Sequence, residues 1–223
     1  MRKADMLAIL IKAAEVSSCT EFVVIGSQAI HGTWPDPEMD VVLRSNDLDL
    51  FPLHGYGDSN VVYEELMLHL GQDSDFDLET GTYIEAVSET LARLPPDWST
   101  RTLREVVGSV EIGGSRREVT VIFPEIHDLT VSKLAIRREK DLEFLAGVVD
   151  LGLVEQSILR SRYQQTPRIT NDLSRDLRIS TRLLIDAIAG ILKRKAEITY
   201  QISTEAARGC MFPRCRCASG HLF

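Results

Sequence analysis

The sequence predicts an α+β fold, a mixed sheet flanked by helices and followed by a helical C-terminal region. Two observations carry this. As far as Phe123, short β-branched and apolar runs are interleaved with segments of helical periodicity. Beyond that point the pattern is mainly helical. The expected organisation is an α/β core over 1–125, a helical region over 126–205 and a cysteine-rich tail over 206–223.

Leu7, Leu10, Ile11 and Ala14 recur at helical spacing, so a first helix is expected over about 2–17. Glu21–Ile25 is a short apolar strand, closed by the turn Gly26-Ser27. Gln28 to His31 then begins a short helix, with His31 expected to be partly buried there rather than touching a ligand. Pro35-Asp36-Pro37 marks a loop. In Ser45-Asn46-Asp47-Leu48-Asp49-Leu50-Phe51-Pro52, an extended backbone puts Asp47 and Asp49 on one face and Leu48 and Leu50 on the other. Residues 60–70 are helical in pattern, and 73–79 read as an acidic, solvated loop. Tyr83–Val87 suits a strand. Val106–Ile112 and Glu118–Phe123 flank Gly113-Gly114 and predict a hairpin. Asp128 is expected to cap one helix running through Lys133 and Asp141 toward Val149.

The composition excludes several classes. At 223 residues, with 44% hydrophobic and 26% charged residues, the chain can bury a sizeable core. No apolar run approaches a membrane span or a secretory leader, so the expectation is a cytoplasmic chain without a membrane partner. The net charge of −8 is unevenly distributed. Residues 1–100 carry 5 basic and 18 acidic side chains, a net of −13; residues 101–223 carry 20 and 15, a net of +5. A polyanionic partner is therefore compatible with an acidic total.

Two carboxylates at i and i+2 on a strand point the same way and can share a hard divalent cation such as Mg²⁺. A cation there can bridge phosphates, and the Gly26-Ser27 turn lets backbone donors approach them closely. Lys133, Arg137 and Asp141, spaced i, i+4 and i+8, would share one face of the expected helix.

The sequence Val24-Ile25-Gly26-Ser27 with Asp47-Leu48-Asp49 resembles the signature of the nucleotidyltransferase superfamily, the fold of DNA polymerase β and its minimal relatives. More narrowly, Ser45-Asn46-Asp47-Leu48-Asp49, together with Asp128-Leu129-Thr130-Val131-Ser132-Lys133-Leu134 and Arg137-Arg138-Glu139-Lys140-Asp141, is similar to the AbiEii-type toxin branch. The resemblance covers about residues 20–150. It implies a nucleotidyltransferase-like mixed sheet, with Asp47 and Asp49 as Mg²⁺ ligands and Gly26, Ser27 and Ser45 on the nucleotide phosphates. It also implies Lys133 and Arg137 toward phosphate and Asp141 completing a catalytic charged set. The implied activity is transfer of a nucleotidyl group from a nucleoside triphosphate to an acceptor, RNA or a tRNA end, by the toxin of a toxin–antitoxin pair. The alternative is a catalytically inactive nucleotide-binding or protein-interaction module on the same fold. The third carboxylate common in this fold is either Glu85 or Glu118.

Other signals are weaker. The run from Asp73 to Ile84 lacks the glycine and the terminal glutamate of a calcium loop. Cys210, Cys215, Cys217 and His221 are four candidate zinc ligands at an unusual spacing, with a tail of reduced thiols as the simpler reading. Arg116-Arg117, Arg137-Arg138 and Lys193-Arg194-Lys195 would form an RNA-facing surface only if folding gathers them beside the carboxylates.

Overall fold

A computed structural model describes residues 1–34, 37–53, 59–136, 138–166, 184–186 and 197. The elements follow in the order α1 (Lys3–Ser17), β1 (Glu21–Val24), a 3₁₀ turn (Gln28–Gly32), α2 (Asp40–Leu43), β2 (Asp47–Pro52), α3 (Ser59–Leu70), α4 (Asp75–Thr80) and β3 (Tyr83–Ala86). Two further 3₁₀ turns (Glu89–Ala92 and Trp98–Arg101) lead to β4 (Leu103–Ile112) and β5 (Ser115–Phe123). The helices α5 (Ile126–Ile136), α6 (Glu139–Asp150) and α7 (Gln156–Gln165) follow. The α+β prediction holds.

The five strands form one mixed sheet in the order β3-β2-β1-β5-β4. β1 runs antiparallel to β2 and parallel to β5, and β2 runs parallel to β3. The C-terminal end of β1 thus lies beside the N-terminal ends of β2 and β3, and the candidate carboxylates gather at that corner. Arg116 and Arg117 begin β5, near the opposite end of the sheet, so folding does not bring them to the carboxylates. The predicted hairpin is β4–β5. Its turn residues Gly113 and Gly114 both have positive φ (58° and 75°), as a tight antiparallel hairpin requires.

One face of the sheet packs against the helices. Met6, Leu10, Phe22, Leu48, Leu66, Val121, Phe123 and Phe144 belong to one continuous buried cluster. The other face has a smaller cluster, Val23, Ile25, Phe51, Ala92 and Ile122, covered in part by Leu94 and Trp98. Trp98 meets Phe51 edge to face at 6.1 Å. His31 is fully buried, beyond the partial burial expected of it. Its Nε2 lies 3.2 Å from Gln28 Oε1 and 3.3 Å from the Met1 carbonyl.

Two expected elements take another form. The acidic loop over 73–79 is largely helix α4. The Ser74 hydroxyl accepts from the Asp77 amide (3.2 Å), and Gly81 ends the helix at φ 70°. A local cap outweighs acidic composition there. The single helix expected from Asp128 toward Val149 is two, α5 and α6, separated at residues 137–138. Asp128 does not cap it. The helix begins at Ile126, and the Asp128 carboxylate is completely buried.

That burial is matched by cations. Arg101 donates to both Asp128 oxygens (2.9 and 3.1 Å), and Arg162 of α7 lies 3.1 Å away. Arg162 also pairs with Glu125. The Glu155 amide donates to His127 Nε2 (2.8 Å), so that nitrogen carries no hydrogen and Nδ1 donates to Glu125 Oε1 (2.6 Å). Burial opposes the Glu125 charge, but the His127 and Arg162 hydrogen bonds outweigh it and hold its pKa at about 2.

This network joins α7 to α5, and two variants test it by urea unfolding. Asp128→Ala leaves Arg101 without its carboxylate and Arg162 with Glu125 alone, and costs about 3 kcal/mol, the low end for removing one partner of a buried ion pair, because Arg162 keeps a partner. Glu125→Gln is less stable than the wild type at pH 7. Because the folded value lies below the ordinary 4.5, that difference shrinks as the pH falls through 4.5 toward 2.

Candidate active site

The site grows from the turn after β1. Gly26 has φ 69°, and a Cβ built on it would lie 1.9 Å from Asp49 Oδ2. Only glycine allows both the left-handed backbone and this approach. The Ile25 amide donates to the Asp49 carbonyl (2.9 Å), which ties the turn to β2. Along β2 the alternation is as predicted: Leu48 and Leu50 are buried, and Asp47 and Asp49 are only partly covered. The Ser45 hydroxyl donates to Asp47 Oδ1, and the Ser27 hydroxyl donates to Ser45 Oγ at 3.2 Å. Gln28 is buried and donates to the Val42 carbonyl (3.0 Å), anchoring the chain that enters β2.

The parallel register of β2 and β3 sets Glu85 directly beside Asp49. Carboxylate oxygens of Asp47, Asp49 and Glu85 lie within 4.8 Å of one another. Glu118 pairs with Ser109 on the far side of the sheet, so the choice left open between the two glutamates falls to Glu85.

The break between α5 and α6 changes how the second block reaches the site. Lys133 and Asp141 do not share a helical face. The chain folds back instead, and Lys133 Nζ meets Asp141 Oδ1 at 3.2 Å, both side chains buried. The same ammonium sits 5.6 Å over the Phe144 ring. Arg138 precedes α6 in extended conformation; its amide donates to Asp141 Oδ2 (2.8 Å), and its guanidinium lies 3.1 Å from the same oxygen. Arg137 lies outside the described residues, as do Cys210, Cys215, Cys217, His221 and the basic run Lys193-Arg194-Lys195. Lys140 Nζ lies 3.7 Å from Asp47 Oδ2. Gly26, Asp49, Glu85, Lys133 and Arg138 all line one cleft of about 140 Å³.

The two aspartates differ in electrostatics. Burial acts against the Asp47 charge, but the Ser45 hydrogen bond and Lys140 more than offset it, so its carboxyl lies below the usual range. Burial, then the neighbouring Asp47 charge, pushes Asp49 up to about 6, with Lys133 opposing the shift. Burial lowers Lys133, although Asp141 draws it the other way. Crowded carboxylates that repel one another present only hard oxygen donors, the set a divalent cation prefers, and such an ion would relieve that repulsion. Among the described residues, this is the one set of three or more His, Cys, Asp or Glu side chains close enough together to hold a metal.

Arg138, expected only as part of a basic RNA-facing pair, and Lys140, present in the second motif without a role of its own, are both site neighbours. The signal was present in the adjacent Arg137-Arg138 and in the i, i+3 pair Arg138 and Asp141, which suits a helix start as well as a helix middle. Gly26→Ala tests the geometry of the turn. The left-handed backbone alone costs about 1–2 kcal/mol in urea unfolding, and the added methyl displaces the Asp49 carboxylate. A crystal structure of that variant with Asp49 unmoved would refute the close approach.

No curated protein and no solved structure matched the chain. Residues 4–183 match the family described as Nucleotidyltransferase of unknown function (DUF6036). That match spans most of the chain and includes the Gly26-Ser27 turn, all three carboxylates and the Lys133–Asp141 pair, so the chain belongs to this nucleotidyltransferase family.

Proposed function

We propose that the protein transfers a nucleotidyl group from a nucleoside triphosphate to an acceptor hydroxyl, using Mg²⁺ held by Asp47, Asp49 and Glu85. The observation that carries this reading is the meeting of three carboxylates with the Gly26-Ser27 turn at one corner of the sheet. Bound there, Mg²⁺ supplies charge neutralisation for the phosphates and for the transferring group.

The protein's own groups do the positioning. Without a side chain at Gly26, the turn lets a phosphate approach the backbone; the Ser27 hydroxyl can turn from Ser45 to donate to its oxygens, while Ser45 stays engaged with Asp47 unless it too exchanges its acceptor. Lys133 sets positive charge toward the phosphates, and Arg137, four residues later in the sequence, is assigned to them by the resemblance alone. Asp141 acts through Lys133, holding the ammonium by a buried pair. Together these groups hold the α-phosphate in line with the attacking hydroxyl, whose oxygen forms the new P–O bond as its proton passes to solvent and the bond to the departing pyrophosphate breaks.

The acceptor is proposed on resemblance. The Ser45–Asp49 strand and the Lys133–Asp141 segment are similar to AbiEii-type toxins, which makes RNA, a tRNA end in particular, the first acceptor to try. The same likeness makes an antitoxin protein the partner to seek.

The test incubates the protein with Mg²⁺, total RNA and each of the four labelled triphosphates. Wild type is expected to transfer label, and Asp47→Asn and Asp49→Asn each lower the rate a hundred-fold or more while remaining folded by circular dichroism. Absence of transfer to RNA or to protein with all four triphosphates overturns the enzymatic reading. Retained binding of the triphosphates would then favour an inactive nucleotide-binding module.

A further inference from the structure

The cleft lined by Asp49, Glu85, Lys133 and Arg138 is also lined by uncharged aliphatic side chains. Val87 follows Glu85 by two residues, continuing the same line of the chain, and its amide donates to the Leu50 carbonyl (2.9 Å). Leu91 and Ile136 complete this lining. Leu91 is 59% exposed, a large apolar side chain left open to water at the mouth of a charged site. The lining is firmly held. The Ser132 hydroxyl of α5 donates to the Ala92 carbonyl, and Arg93 reaches the Ala135 carbonyl at 3.5 Å. The 3₁₀ turn carrying Leu91 is thus fastened to the same helix that carries Lys133.

An aliphatic shelf beside a phosphate-directed charge cluster matches the two halves of one ligand. Phosphates suit the carboxylate-bound cation and the Lys133 side, and a flat, weakly polar ring joined to those phosphates suits the shelf. We propose that Val87, Leu91 and Ile136 form the site for the base of the incoming nucleoside triphosphate, contacting its face. This assignment rests on the proposed nucleotidyltransferase reading and adds to it the place and manner of base recognition. Contact through the ring face is blind to the pattern of donors and acceptors on the base edge, so this shelf serves all four bases, differing among them only as ring area differs.

Leu91→Ser tests the shelf, since so exposed a side chain can be polar without loss of the fold. Binding of ATP, GTP, CTP and UTP with Mg²⁺ is measured calorimetrically, with inorganic triphosphate as the probe that has no base. The expected result is a five- to ten-fold rise in Kd for all four nucleotides and an unchanged Kd for inorganic triphosphate, at an unaltered melting temperature. Unchanged nucleotide binding overturns the shelf, and so does a loss confined to one base. Unchanged nucleotide binding with a raised KM for the RNA acceptor would move the shelf to the acceptor and also overturns the proposal. If wild type binds neither nucleotides nor inorganic triphosphate, the nucleotidyltransferase reading itself fails, whatever Leu91 does.

Discussion

The contact between the Gly26 backbone and the Asp49 carboxylate is the constraint on which the site depends. It brings the turn after β1 within reach of a charged oxygen, at a distance that no side chain at position 26 would permit. The hydrogen bond from the Ile25 amide to the Asp49 carbonyl holds the two strands in that relation. Once Asp49 is placed, the register of β2 and β3 sets Glu85 beside it, and strand periodicity sets Asp47 on the same side. Three acids converge because three backbone relations converge.

Such crowding costs free energy, and the surroundings show how the cost is met. Asp47 has the Ser45 hydroxyl and Lys140, which keep it ionised. Asp49 has less help and a higher pKa. Lys133 is buried near them, but its charge is shared with Asp141, which is engaged by Arg138 as well. The result is a cluster of three acids on β2 and β3 followed by Lys133, Asp141 and Arg138 toward α6, with the acidic end at the cleft. A site of this kind suits a ligand that carries both a cation and several anionic oxygens.

A second charged network, outside the residues that line the cleft, has a different purpose. Asp128 and Glu125 lie between α5 and α7, engaged by Arg101, Arg162 and His127. No polar side-chain atom among the described residues is left buried without a partner. The two networks lie on the same helix: Asp128 at its first turn is structural, and Lys133, one turn and a half later, faces the cleft.

Much of this was legible in the sequence because it follows from local rules. Alternation along Asp47–Leu50, the glycine turn after an apolar strand, and the glycine pair of the hairpin each determine a backbone form without reference to distant residues. The α+β class followed from the same periodicities. Helix α4 is hidden by an acidic composition that suits a loop equally well, its only local signals being Ser74 and Gly81, and the α5–α6 break is hidden because the sequence Arg137-Arg138 does not forbid a helix. What only the tertiary structure decided was pairing across distance. Glu85 and Glu118 are equivalent as sequence, each an acid in a short strand, and strand order alone brings one of them to Asp49. Lys133 and Asp141 were legible as a pair, yet their contact arises from a reversal of the chain rather than from helical spacing. Periodicity is a property of neighbouring residues; the meeting of strands and the folding back of helices are set by where the whole core can be buried.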